Sequence, residues 1–135
     1  MNQVIIYHNP KCGTSRNTLA MILESGVEPI VVDYLKTPLT RETLITLMAK
    51  MEVSVREILR KKGTPYTELG LQNKIISDDV LIDAIMQHPI LMNRPIVDAP
   101  KGAKLCRPSE IVLTILESPL KEPFIKEDGQ VIKPS

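Results

Sequence analysis

Aromatic side chains are nearly missing from this chain, which has no Trp, one Phe and three Tyr among 135 residues. Its core has to be assembled from Leu, Ile, Val and Met, within a hydrophobic fraction of 43%. Cysteine is scarce too: Cys12 and Cys106 stand alone, which does not fit a disulfide-stapled secreted scaffold. No stretch approaches the roughly 18 apolar residues of a membrane span. The run Val4–Tyr7, preceded by no charged segment, is too short for a signal peptide. Neither sign of charge dominates, with 17 Lys and Arg against 16 Asp and Glu, so no broad basic face exists for nucleic acid and any anion recognition has to be local. Two His and two Cys at scattered positions match no zinc spacing. These absences place the chain in the cytoplasm with free thiols, without a membrane or nucleic-acid partner and without a bound metal.

The length suits one domain. Val4-Ile5-Ile6-Tyr7 reads as a short buried strand that stops at Asn9-Pro10. A helix follows Lys11-Cys12-Gly13-Thr14-Ser15, with Leu19, Ile22 and Leu23 as its apolar positions and Gly26 as its stop. Ile30-Val31-Val32 is a second strand, which completes a βαβ opening. The middle reads as helical. Leu44, Leu47, Met48 and Met51 form a core stripe after the N-cap Thr40, Ser54 opens a capping box and Gly63 ends that helix. A further helix from Ser77 carries Val80, Leu81, Ala84 and Ile85 inward and stops before Pro89, with His88 at its end. Strands return around Pro95-Ile96-Val97 and Ala103–Cys106, joined by a turn at 100–102, and a last helix follows Pro108-Ser109-Glu110. The pattern predicts a three-layer α/β domain over residues 1–117, with a helical insert at about 40–88 and a loosely docked tail over 118–135.

Cys12 falls where the loop meets the first helix. A helix N-terminus gathers unsatisfied N–H groups and the positive end of the macrodipole, which favours a thiolate and can hold an oxyanion in front of it. Gly13 allows close backbone approach, and His8 can add a charge or a hydrogen bond. A buried, inert cysteine is the plainer alternative, but Lys11, Gly13, Thr14 and Ser15 are poor company for a core residue. The position where a dithiol pair needs its second cysteine holds Ser15, and the position where a phosphatase-type loop needs arginine holds Thr18. A monothiol that depends on an outside reductant remains. Cys106 closes an apolar strand, where a buried structural thiol is commoner than a resolving one.

The segment Tyr7-His8-Asn9-Pro10-Lys11-Cys12-Gly13-Thr14-Ser15-Arg16-Asn17-Thr18-Leu19 resembles the glutaredoxin-linked bacterial arsenate reductases. The likeness continues through Leu59-Arg60-Lys61, Tyr66-x-x-Leu69-Gly70-Leu71, His88-Pro89-Ile90-Leu91-x-Asn93-Arg94-Pro95-Ile96-Val97 and Leu105-Cys106-Arg107-Pro108-Ser109-Glu110. The resemblance implies a thioredoxin-like fold with a mixed central sheet. It implies Cys12 as the nucleophile on arsenic, Arg60, Arg94 and Arg107 as an anion-binding trio, and His8 and Ser15 as support for the thiolate. It implies arsenate as substrate, glutathione as co-substrate, glutaredoxin as partner and no tightly bound cofactor, with arsenate reduced to arsenite for detoxification. From the residues alone, Arg60 beside Lys61 and Lys62 reads as a solvated helix end, and Arg107 reads as the start of a turn. Two other readings share the fold: a redox-sensing regulator that binds RNA polymerase, which the missing second cysteine disfavours, and a glutathione-dependent thiol reductase with another acceptor.

Overall fold

The computed structural model describes residues 3–134, and the chain divides into two compact units, one formed by 1–33 with 94–135 and the other by 34–93. In the first unit β1 (Ile5–His8), β2 (Ile30–Asp33), β3 (Ile96–Ala99) and β4 (Gly102–Leu105) form one mixed sheet in the order β2-β1-β3-β4. β1 runs parallel to β2, with Ile6 opposite Val31, and antiparallel to β3, with Ile6 opposite Val97; β3 and β4 make an antiparallel hairpin. β2 is an edge strand, so its β-branched Ile30 and Val31 stay about half exposed while the central strands are buried.

α1 (Gly13–Glu24) connects β1 to β2. Its buried stripe is Ser15, Thr18, Met21 and Ile22, whereas the sequence pattern counts Leu23 among its apolar positions. Thr18 accepts burial because its hydroxyl donates to the Thr14 carbonyl at 2.8 Å, and Leu23 is left 51% exposed. The helix ends in a C-terminal cap in which Gly26 takes φ +88 and Val27 N–H returns to the Ile22 carbonyl. The core of this unit joins Ile6, Met21, Ile22, Val97, Ala99, Cys106, Val112 and Ile115. The expected last helix is present as a 3-10 helix over Ser109–Thr114, burying Val112.

Residues 118–134 carry a hairpin that the alternating charges of that stretch do not announce. β5 (Phe124–Ile125) pairs antiparallel with β6 (Val131–Ile132). Phe124 and Ile132 pack on the core of the unit and Leu120 is buried. Lys126, only 8% exposed, binds Glu110 at 2.6 Å and the Gln130 side chain at 3.2 Å.

In the second unit α2 (Arg41–Met51) buries Leu44, Leu47 and Met48, and α3 (Asp78–Gln87) buries Leu81, Ile82 and Ile85. Thr40 and Ser77 cap them through the N–H groups of Thr43 and Val80. Two corrections to the sequence pattern apply here. Val80 is 51% exposed and Ile82 takes the inward place, and the capping box at Ser54 opens a short 3-10 helix, Val55–Ile58, in place of a helix reaching Gly63. A second 3-10 helix, Pro89–Leu91, follows α3, and Leu59 bridges to Met92. His88 is the C-cap of α3.

Candidate active site

Cys12 is the N-cap of α1, in extended conformation with φ −101 and ψ 121. Its N–H reaches back to the Asn9 carbonyl at 3.0 Å and its own carbonyl takes the first helical hydrogen bond, from Arg16 N–H at 2.9 Å. The sulfur therefore stands where Ser or Asp normally caps a helix, with no acidic residue in the first turn to oppose a negative charge. It does not close a regular capping hydrogen bond in this geometry.

The thiol of Cys12 is held below its ordinary value by opposing influences. Burial is the largest of them and pushes it up; the Ser15 backbone N–H, the Arg94 charge and the Arg107 guanidinium together outweigh it. Arg107 Nη1 lies 3.7 Å from the sulfur and donates to the Arg94 carbonyl at 3.0 Å. That second bond fixes the guanidinium beside the thiol and ties the two arginine segments together. The Arg94–Pro95 and Arg107–Pro108 peptide bonds are both cis.

His8 and Ser15 meet behind the loop, where His8 Nδ1 and Ser15 Oγ are 2.7 Å apart. The same hydroxyl accepts from Asn9 N–H at 3.0 Å. Burial lowers the His8 pKa, with Asp33 opposing and Arg16 adding to the shift, which disfavours the charged ring. His8 brings a hydrogen bond to the loop. Ser15 is fully buried, and its hydroxyl joins the end of β1 to the first turn of α1.

Arg60 belongs to the second unit. Its backbone N–H donates to the Leu91 carbonyl at 2.7 Å and its Nε to the Lys62 carbonyl at 3.1 Å. Four of the residues named for the site with Cys12 (His8, Ser15, Arg94 and Arg107) lie with it in the first unit.

Cys106 is fully buried, its thiol pushed up to about 12 by burial and only slightly relieved by Lys104. Both cysteines are free thiols. Among the described residues, no group of three or more His, Cys, Asp and Glu side chains is placed to hold a metal ion, and no helix is long and apolar enough to cross a membrane.

Sequence reasoning passes over two residues here. Arg16 presents Nε and Nη2 to both carboxylate oxygens of Glu127 at 2.8 Å and Nη1 to the Pro10 carbonyl at 2.8 Å. Nothing in the local pattern signals this pair, which is 111 residues apart.

A mixed sheet with a cysteine at the N-terminus of the helix after its first strand, on a loop faced by two cis prolines' neighbouring arginines, defines a thioredoxin-like monothiol protein. The chain belongs to the ArsC family, which it matches over residues 7–115. It is 57% identical over 132 residues to an arsenate reductase of Escherichia coli (strain K12), covering 98% of this chain and 94% of that protein. It is likewise 57% identical to an arsenate reductase of Rhizobium meliloti (strain 1021), over 96% of this chain and 92% of that protein. A solved arsenate reductase structure from Vibrio cholerae superposes with a TM-score of 0.82 at 43% identity, over 85% of this chain and 98% of that one.

Proposed function

We propose that this chain reduces arsenate to arsenite in the cytoplasm through the thiolate of Cys12, with glutathione as co-substrate and glutaredoxin as partner. The observation that carries the reading is a cysteine whose thiol is lowered at a helix N-terminus with Arg107 beside it, in a chain 57% identical to arsenate reductases. That identity favours reduction over the polymerase-binding reading.

In this mechanism the Cys12 thiolate attacks arsenic(V), and one arsenate oxygen leaves as water after protonation. Glutathione then attacks the adduct. A sulfur–sulfur bond forms between Cys12 and glutathione, and the electron pair of the sulfur–arsenic bond stays on arsenic, which leaves as arsenite in the +3 state. Glutaredoxin removes the glutathione from Cys12, and a second glutathione completes the cycle as oxidised glutathione. An external thiol is needed because Ser15 stands where a resolving cysteine would be, and Cys106 is buried and kept protonated.

Two anions meeting in a partly dry site repel by several kcal/mol. Arg94 and Arg107 offset that repulsion. Guanidinium forks match a tetrahedral oxyanion and stay charged at any working pH. Phosphate shares this shape and charge, so selection falls to the chemistry, because arsenic(V) is reduced by thiols and phosphorus(V) is not. His8 and Ser15 hold the loop.

The test is arsenate-dependent NADPH oxidation coupled through glutathione, glutaredoxin and glutathione reductase. Turnover by the wild-type protein and none by Cys12→Ser supports the assignment; a tenth of the wild-type rate in the Ser variant overturns it.

A further inference from the structure

We infer that Glu127, on the turn of the C-terminal hairpin, is a positioning residue for the Cys12 loop and acts through Arg16 and Asn17. Its carboxylate takes both Nε and Nη2 of Arg16 at 2.8 Å, and the remaining nitrogen, Nη1, holds the Pro10 carbonyl at 2.8 Å. The Glu127 backbone N–H donates to Asn17 Oδ1 at 3.1 Å. Pro10 precedes Cys12 and Arg16 and Asn17 follow it, so one residue of the hairpin braces the loop from both sides. A Cβ on Gly13 would stand 3.5 Å from Glu127 Oε1, which places the carboxylate directly over the first turn of α1.

The hairpin is itself fixed. Lys126, beside Glu127 in the chain, is buried on Glu110, and its N–H and carbonyl close the turn with the Gln130 carbonyl and Gly129 N–H. Glu127 therefore projects from an anchored point. As a contribution to global stability, an exposed ion pair of this kind is small; its effect is on the geometry of the loop. Arg16, with all three of its nitrogens engaged by Glu127 and Pro10, serves as a strut between the hairpin and the loop.

A charge effect and a positioning effect have opposite signs here. Removing the Glu127 charge leaves the Arg16 guanidinium, which interacts with the Cys12 thiolate, uncompensated; electrostatics alone would then lower the thiol pKa. A loosened loop loses the Ser15 N–H that favours the thiolate, which raises it.

The experiment compares Glu127→Gln, Arg16→Gln and the double variant in full-length protein. It reads the pH midpoint of Cys12 alkylation by iodoacetamide, kcat in the coupled arsenate assay and the thermal melting temperature. The expected result is a raised alkylation midpoint and a kcat lowered on the order of tenfold in Glu127→Gln, at nearly unchanged melting temperature, with the double variant no worse than Arg16→Gln. A lowered midpoint, an unchanged midpoint, or effects of the two single variants that multiply in the double one overturns the inference. The inference rests on Cys12 being the reactive thiol. Wild-type protein with a midpoint like that of free cysteine would defeat that assignment, whereas a low wild-type midpoint that Glu127→Gln fails to raise defeats only the role of Glu127.

Discussion

Nη1 of Arg107 lies 3.7 Å from the sulfur of Cys12 while donating to the Arg94 carbonyl at 3.0 Å. The cation beside the thiol is therefore held by backbone and does not depend on the sulfur for its place. It is set before any substrate arrives, which is the condition under which a positive charge lowers a barrier without reorganising.

Removing that cation raises the Cys12 thiol toward its ordinary value and lowers kcat/KM for arsenate. A charge-assisted hydrogen bond contributes about 1.5–3 kcal/mol, which corresponds to roughly ten- to a hundredfold in rate. Arg107→Ala is expected in that range. Arg107→Lys keeps the charge but loses the fork, and is expected to recover the alkylation midpoint better than the arsenate KM. Iodoacetamide kinetics and the coupled assay check the two effects separately.

The lowered Cys12 thiol also has a consequence for stability. The group binds its proton less tightly in the folded state than in the unfolded chain. The unfolded state thus carries more protons between the lowered folded value and the free thiol value near ~8.5, and stability rises with pH across that window. Above it the contribution is complete; it is lost as pH falls through the folded value. Urea midpoints of wild type and Cys12→Ser measured at several pH values are expected to diverge toward alkaline pH, and parallel curves would refute the lowered thiol.

His8 gives a second pH signature with a lower window. Its folded pKa lies below 6.5, so the unfolded chain takes up a proton first as pH falls, and stability drops as pH is lowered from about 6.5. His8→Asn is expected to remove that drop in melting temperature.

Ser15→Ala removes the hydroxyl that accepts Asn9 N–H and meets His8. A buried donor left without its partner costs about 1–3 kcal/mol, and thermal denaturation is expected to show a loss of that order. The Cys12 alkylation midpoint is expected to rise as well, because the hydroxyl holds the loop that presents the Ser15 backbone N–H to the sulfur.

Cys106→Ala is expected to keep turnover near wild type and to cost about 1 kcal/mol for the lost packing. Wild-type Cys106 is expected to resist iodoacetamide until the chain unfolds, in keeping with its full burial and its thiol at about 12. Loss of turnover with an intact fold would make it a resolving thiol.

The sequence by itself determined the elements whose signals are local. The β-branched run before Asn9-Pro10, the loop-to-helix junction at Cys12, the caps at Thr40 and Ser77, and the exclusion of a dithiol by Ser15 all depend on neighbours within a few residues. The tertiary structure decided what depends on distant partners. Which face of α1 is buried turned on Thr18 satisfying its own hydroxyl within the helix, a choice that a hydrophobic count reads as Leu23. That Arg107 lies against Cys12 depends on strands β1, β3 and β4 lying side by side, which brings residues 95 positions apart within 3.7 Å. The hairpin after residue 118 is the furthest from legible: two-residue strands have almost no periodicity, and its hold on the Cys12 loop is one carboxylate meeting one guanidinium across 111 residues. Local chemistry chose the sulfur, and long-range packing chose the charges that act on it.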